Sequence, residues 1–234
     1  MIFHYVCRKM TKNERFQNGQ IPGEFLAELS VCYRDAEALV PLSTVETLWK
    51  ERRSMARARL LRLFEGIDLA MGRIPRSQGF FTSAADRKQT FLAVCSFLEL
   101  FQKESILLDR ESLGFGEVYS LLRHRERAIL QIEARGLELQ RAFGKQADQE
   151  GLKSAQDLLQ GLLKEKENDA ALLTALRRTE AALCDFLTGT CVEFCRFAAA
   201  KADVEHDGAE ASPAEISRLL WGLRQETEKL LREL

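Results

Sequence analysis

Proline is absent from Arg76 through Ser212, more than half of the chain. A proline in a helix interior removes a donor and clashes with the preceding turn, so its absence over such a length leaves long helices open. The four prolines present are Pro22, Pro41, Pro75 and Pro213. The run between the last two is rich in Leu, Ala, Glu, Arg, Lys and Gln, the strong helix formers. Nothing in it alternates at period two, as a half-buried strand would. The expected fold is all-α: an elongated antiparallel bundle or helical hairpin of long amphipathic helices.

Read along the chain, residues 1–22 are a polar, flexible N-terminus, and 23–82 an N-terminal helical extension. Residues 83–201 form the core hairpin or bundle, 202–211 an acidic linker, and 212–234 a C-terminal amphipathic helix. A first helix is predicted over Glu24–Leu39, stopped by Pro41. Ser43 and Glu46 have the spacing of a capping box, opening a second helix that reaches Met71. Gly72, Pro75 and Gly79 mark a loop, and Ser83 caps a third helix running to Ser112. Its apolar positions are Phe91, Cys95, Leu98, Phe101 and Leu108.

A Gly114-Phe115-Gly116 turn separates it from a fourth helix, Glu117–Phe143, with Gly144 as the stop. Val118, Leu122, Ile129, Ile132, Leu139 and Phe143 mark that helix's buried stripe, and Arg125 and Gly136 fall on the same stripe. The short turn predicts that the third and fourth helices pack as an antiparallel hairpin. Ala147–Lys164 reads as a shorter helix or a strained continuation, and Glu165–Lys201 as the longest helix, with a stripe from Leu172 through Leu176, Leu183, Phe186 and Phe194. Ser212-Pro213-Ala214-Glu215 is a second capping box with proline at the first helical position. The last helix carries Ile216, Leu219, Leu220, Leu223, Leu230 and Leu231.

Lys plus Arg number 34 and Asp plus Glu 35. That balance gives no positive excess to drive non-specific nucleic-acid binding. The six cysteines include no CxxC pair, and no secretory leader opens the chain. The longest apolar run, Phe91 to Phe101, is broken by Ser96 and Glu99 and is far short of a membrane span. The reading is a cytoplasmic protein with reduced thiols and no membrane insertion.

Three clusters invite a chemical reading. Cys184, Cys191 and Cys195 recur at seven and four on one helical face. A metal site there needs a fourth converging ligand that no neighbouring histidine supplies, so small core residues are the simpler reading. His124, within Arg123-His124-Arg125-Glu126-Arg127, is a candidate acid or base, but the pattern is that of a solvated charged face. Arg52, Arg53, Arg57, Arg59 and Arg62 form a basic stretch that reads the same way, with contact to nucleic acid or an acidic partner as the alternative. No P-loop, GxGxxG, GxSxG, HExxH or paired ExxH motif occurs, so no catalytic residue, cofactor or metal is assigned.

The apolar surplus carries more information. Leu187, Val192, Phe194 and Phe197 on the longest helix, and Leu220, Trp221 and Leu223 on the last, extend beyond a single seam. Apolar surface wrapped around a helix must meet a second surface: the chain's own bundle, a second copy, or an amphipathic partner helix. These seven are the candidate partner-binding residues.

Phe91 to Phe197, just under half of the chain, resembles the flagellar export chaperones of the hook–filament junction proteins. The resemblance rests on Phe101-Gln102-Lys103-Glu104-Ser105-Ile106-Leu107-Leu108 followed by Leu121-Leu122-Arg123-His124-Arg125-Glu126-Arg127-Ala128-Ile129-Leu130. Glu167-Asn168-Asp169-Ala170-Ala171-Leu172-Leu173 then resembles the start of the family's long last helix. It implies a cytoplasmic, non-catalytic chaperone that holds a C-terminal helical segment of junction proteins and delivers it to the export apparatus. A scaffolding coiled-coil protein, and a helical-bundle enzyme or regulator using the cysteines or His124, are the alternatives.

The first nine residues are unlike the polar segment opened by Met10, and translation is expected to begin at Met10. The intact mass of the native protein checks this: a mass lacking Met1 to Lys9 is expected, and one including them refutes it.

Overall fold

The computed structural model describes residues 23–75, 83–143, 149–204 and 213–234; within the fifth helix the side chains of Gln149 and 196–204 lie outside that description. Among the described residues every regular element is a helix. They are α1 (Gly23–Glu37), α2 (Leu42–Arg73), α3 (Ala84–Leu107), α4 (Phe115–Phe143), α5 (Gln149–Val204) and α6 (Pro213–Glu233). The all-α expectation holds.

Several boundaries move. The two helices expected on either side of Lys164 are one, α5, and it runs three residues past Lys201 into the expected linker. Gly161, three residues before Lys164, weakens a helix without breaking it and no proline stands nearby, so the continuation forms and not a separate shorter helix. α2 begins at Leu42, which puts Ser43 inside the first turn, where its carbonyl accepts the Thr47 hydroxyl at 2.8 Å. Ser83 does cap α3, with the reciprocal Asp86 bond of a capping box. Pro213 does stand at the first position of α6, while Ser212, Gly144 and the Met10 start lie outside the described residues.

α3 stops at Leu107, not Ser112. The Asp109 carboxylate accepts the Glu111 amide at 3.1 Å, and the Leu113 amide donates back to the Asp109 carbonyl at 2.9 Å, folding 109–113 into a turn. Gly114 follows with φ of 69°, and a Cβ there would lie 3.1 Å from the Arg52 guanidinium, so both backbone and neighbour require glycine. The buried face of α3 also differs from the expected one. Phe91 is exposed, and Thr90, Val94, Phe97, Phe101 and Glu104 turn inward. A helix apolar on most sides offers no unique stripe to read.

The chain gathers into two compact units that are not consecutive in sequence. Among the described residues, one comprises those within 23–48 and 117–174, the other those within 49–116 and 175–234. The divisions fall inside α2, α4 and α5, so α3 lies in one unit and nearly all of α4 in the other. The expected α3–α4 hairpin is therefore not the organising pair.

In the first unit α1 packs Phe25, Leu29, Cys32, Tyr33 and Ala36 against Ile129, Ile132 and Leu139 of α4 and Leu158 and Leu162 of α5. The Tyr33 hydroxyl donates to the Ser154 carbonyl at 2.7 Å. Gly136 allows close approach, since a Cβ there would lie 3.2 Å from Leu159. Arg125, on the apolar stripe of α4, is 1% exposed. Its guanidinium donates to both oxygens of Asp169 at 2.9 and 3.1 Å, to Glu165 at 2.6 Å, and to the Val40 carbonyl in the α1–α2 connection. One side chain thus ties three segments. Burial pushes the Asp169 carboxyl above its ordinary range, outweighing the pull of Arg125 toward the charged form. The pair consequently adds little net stability. Its role is registry, because α5 can pair this rung with α4 in one way only without stranding a buried charge.

Arg125→Met is expected to destabilise the first unit by about 3–5 kcal/mol by leaving Asp169 buried and unpaired. Arg125→Met with Asp169→Leu should recover most of that loss in urea denaturation. A double variant no more stable than the single one would remove the registry role.

Candidate partner-binding groove

The second unit is built on α2 from Trp49, α3, the second part of α5 and α6. Phe97 and Phe101 of α3 meet Phe194 of α5 with ring centroids 5.6 and 5.9 Å away and each other at 6.3 Å, and Trp49 meets Phe115 edge-on at 5.7 Å. Aromatic rings at these separations are favoured by both apolar burial and their quadrupoles. Leu60, Leu63, Ile67 and Leu220 fill the core with them. α6 therefore docks on its own chain.

The arginine stretch of α2 is what docks it. Arg57 donates to the Leu231 carbonyl at 2.8 Å and Arg53 to the Glu233 carbonyl at 3.0 Å. Both are last-turn carbonyls of α6, where the helix dipole is negative and no helical amide remains to pair them. Arg59 and Arg62 converge on Glu104, which is 1% exposed, at 3.4 and 3.6 Å. Arg224 of α6 answers with an ion pair to Asp68 at 2.7 Å and lies 4.5 Å over the Phe64 ring. The expectation of a solvated basic face holds for exposure and not for role: Arg57 and Arg62 are exposed and Arg53 and Arg59 half-buried, yet all four bond to carbonyls of α6 or to Glu104. Around His124 the solvated reading fits Arg123, Glu126 and Arg127, which are exposed, but not Arg125.

With α6 held in this way, an open groove of about 790 Å³ lies between α5 and α6. Its floor is apolar, from Phe186 on α5 and Leu219, Leu223 and Leu230 on α6. Gly189 and Gly222 both line it, and a Cβ added to either would meet nothing within 4 Å. The lining spans 182–193 on α5 and 215–233 on α6. At 1.5 Å per residue that is roughly 16 and 27 Å, enough for a guest helix of about three to five turns.

The seven residues singled out for partner binding separate. Phe194, Leu220 and Leu223 are buried, at 8%, 0% and 7% exposure, in the chain's own core. Leu223 also edges the groove. Leu187 is half-buried, Val192 and Trp221 are exposed at 43% and 52%, and the Phe197 side chain lies outside the described residues. Gly189 and Gly222 were not singled out, and Phe186 and Leu219 were read as part of the apolar surface of their helices but not among the seven. The glycines carried the available signal: each lies in a helix interior, where glycine costs stability and needs a packing or binding reason.

The three cysteines are not core. Cys184, Cys191 and Cys195 are exposed, because the apolar stripe of Leu183, Thr190 and Phe194 claims the neighbouring face. Among the described residues no group of three His, Cys, Asp or Glu gathers in a metal-binding arrangement, and no helix is long and apolar enough to cross a membrane. Burial raises the Cys32 thiol pKa, keeping it protonated.

No protein-family model, curated protein or solved structure matches the chain.

Maleimide labelling of the native protein, mapped by mass spectrometry, should modify Cys184, Cys191 and Cys195 within minutes and leave Cys32 untouched until denaturant is added. Labelling of Cys32 at the same rate would contradict this packing.

Proposed function

We propose that the chain is a cytoplasmic protein-binding protein, not a catalyst, and that it holds an amphipathic helix of another protein in the groove between α5 and α6. The observation that carries this reading is an open, apolar-floored channel of helical length whose floor includes two glycines with free space above them. A guest helix can lay apolar side chains on Phe186 and Leu219 and bring its backbone close over Gly189 and Gly222.

The resemblance over Phe91 to Phe197 gives the guest one concrete identity: a C-terminal helical segment of a hook–filament junction protein, held for delivery to the export apparatus. Both sides of the groove fit that use. The α5 side lies within the resembling stretch, and α6, beyond it, supplies the second wall. Filling the groove would cover what remains exposed of the half-buried Phe186 and Leu219, and about 25 cal/mol per Å² of apolar area is the gain available to a guest.

The test separates groove from core. Phe194→Asp would damage the Phe97–Phe101–Phe194 cluster and lose binding by unfolding, so it does not discriminate. Gly222→Leu does, because the new side chain enters open space. It should raise helix stability by about 0.5–1 kcal/mol and abolish the pull-down of a junction protein that the wild-type chain gives. Retained pull-down with Gly222→Leu removes the groove as the binding site, and no pull-down by the wild-type chain removes the junction protein as guest.

A further inference from the structure

The groove's charge says which helix it takes. Five carboxylates line it: Asp185 and Glu193 from α5, and Glu215, Glu226 and Glu233 from α6. Arg218 and Lys229 are the only cations among the lining residues. Glu193 and Glu215 also make other contacts, yet the excess survives without them, since Asp185, Glu226 and Glu233 still outnumber the two cations. The contrast with the rest of the unit sharpens the point. Arg59 and Arg62 of α2 and Arg224 of α6 are committed to Glu104 and Asp68, which do not line the groove, while Arg53 reaches the Glu233 carbonyl only at the groove's end.

Resting on the groove reading above, we infer that the guest is a basic amphipathic helix: an apolar stripe with small residues where it crosses Gly189 and Gly222, flanked by Lys or Arg. The apolar stripe meets the floor, and the cations meet Asp185 on one wall and Glu226 and Glu233 on the other. An acidic helix of the same apolar stripe would set like charges along both walls, which the groove rejects. The charges lie at the rim, so they govern partner choice and rate of association more than they deepen the site, and salt screens them.

The experiment uses the full chain and three fluorescein-labelled Leu/Ala model helices of about four turns, with flanking positions all Lys, all Gln or all Glu. Anisotropy titration at low salt is expected to show the Lys helix binding at least tenfold tighter than the Glu helix, with Gln between. At 0.5 M NaCl the Lys and Glu helices should converge. Glu226→Lys with Asp185→Lys should reverse the order, and Gly222→Leu should abolish binding of all three.

If the Gln and Glu helices bind as tightly as the Lys helix and Gly222→Leu still blocks them, the basic guest is wrong and the groove reading stands. If Lys-helix binding is unchanged by Gly222→Leu, or no helix binds, both fall. A dimer in sedimentation that Gly222→Leu dissolves would make a second copy the occupant and overturn the inference. So would a tenfold gain in Lys-helix affinity on removing residues 1–22, which would make the chain's own N-terminal segment the occupant.

Discussion

The capping of α6 by arginines of α2 is the interaction on which the groove depends. An amphipathic helix with an apolar stripe has reason to dock, but many angles of docking bury that stripe about equally well. The Arg57 and Arg53 bonds to the Leu231 and Glu233 carbonyls remove that freedom at the C-terminal end. Arg224 on Asp68 and over Phe64 does so about two turns earlier. Directional charged bonds choose among positions that hydrophobic burial leaves close in energy. Once α6 is fixed on α2, its opposite flank, with Leu219, Gly222 and Glu226, faces α5 across open space.

Each unit thus uses buried or half-buried charge for placement more than for stability. In the first unit Arg125 does this for α4, α5 and the α1–α2 connection. In the second, Glu104 collects Arg59 and Arg62 where α2 passes α3. A bundle made from Leu and Ala alone would slide, because one helical rung resembles the next. A desolvated ion pair makes any other rung costly, since a slip leaves a charge without its partner. This explains why charged residues on apolar stripes appear in a chain that otherwise follows helical periodicity closely.

Much of the fold was legible in the sequence, and the rest failed for identifiable reasons. Helix content, the Ser83 cap, the Pro213 start and the stripes of α4, α5 and α6 followed from spacing and capping chemistry. The face of α3 did not, because apolar residues surround it. The continuity of α5 was one of two readings at Lys164, and local pattern did not choose between them because Gly161 weakens the helix there without a proline to end it. Arg125 was visible on its stripe but read as an imperfection, since one helix cannot show that Asp169 lies opposite. The non-consecutive composition of the two units is a property of pairing between distant segments, which local pattern does not encode. The same limit hid the groove: its walls come from α5 and α6, and Gly189 and Gly222 gain meaning only when seen on the same channel. Exposure of the cysteines was missed for the opposite reason, because small residues carry little positional signal.

Glycine amides give the most direct measurement. The chain has 14 glycines, and in a heteronuclear NMR spectrum of protein labelled at glycine nitrogen their resonances fall in a sparse region. On addition of the lysine-flanked helix to the unaltered chain, the Gly189 and Gly222 resonances should move furthest, while that of Gly136, packed against Leu159 in the other unit, stays in place. Unmoved Gly189 and Gly222 resonances in a saturated complex would contradict the account, because the guest would then be seated elsewhere.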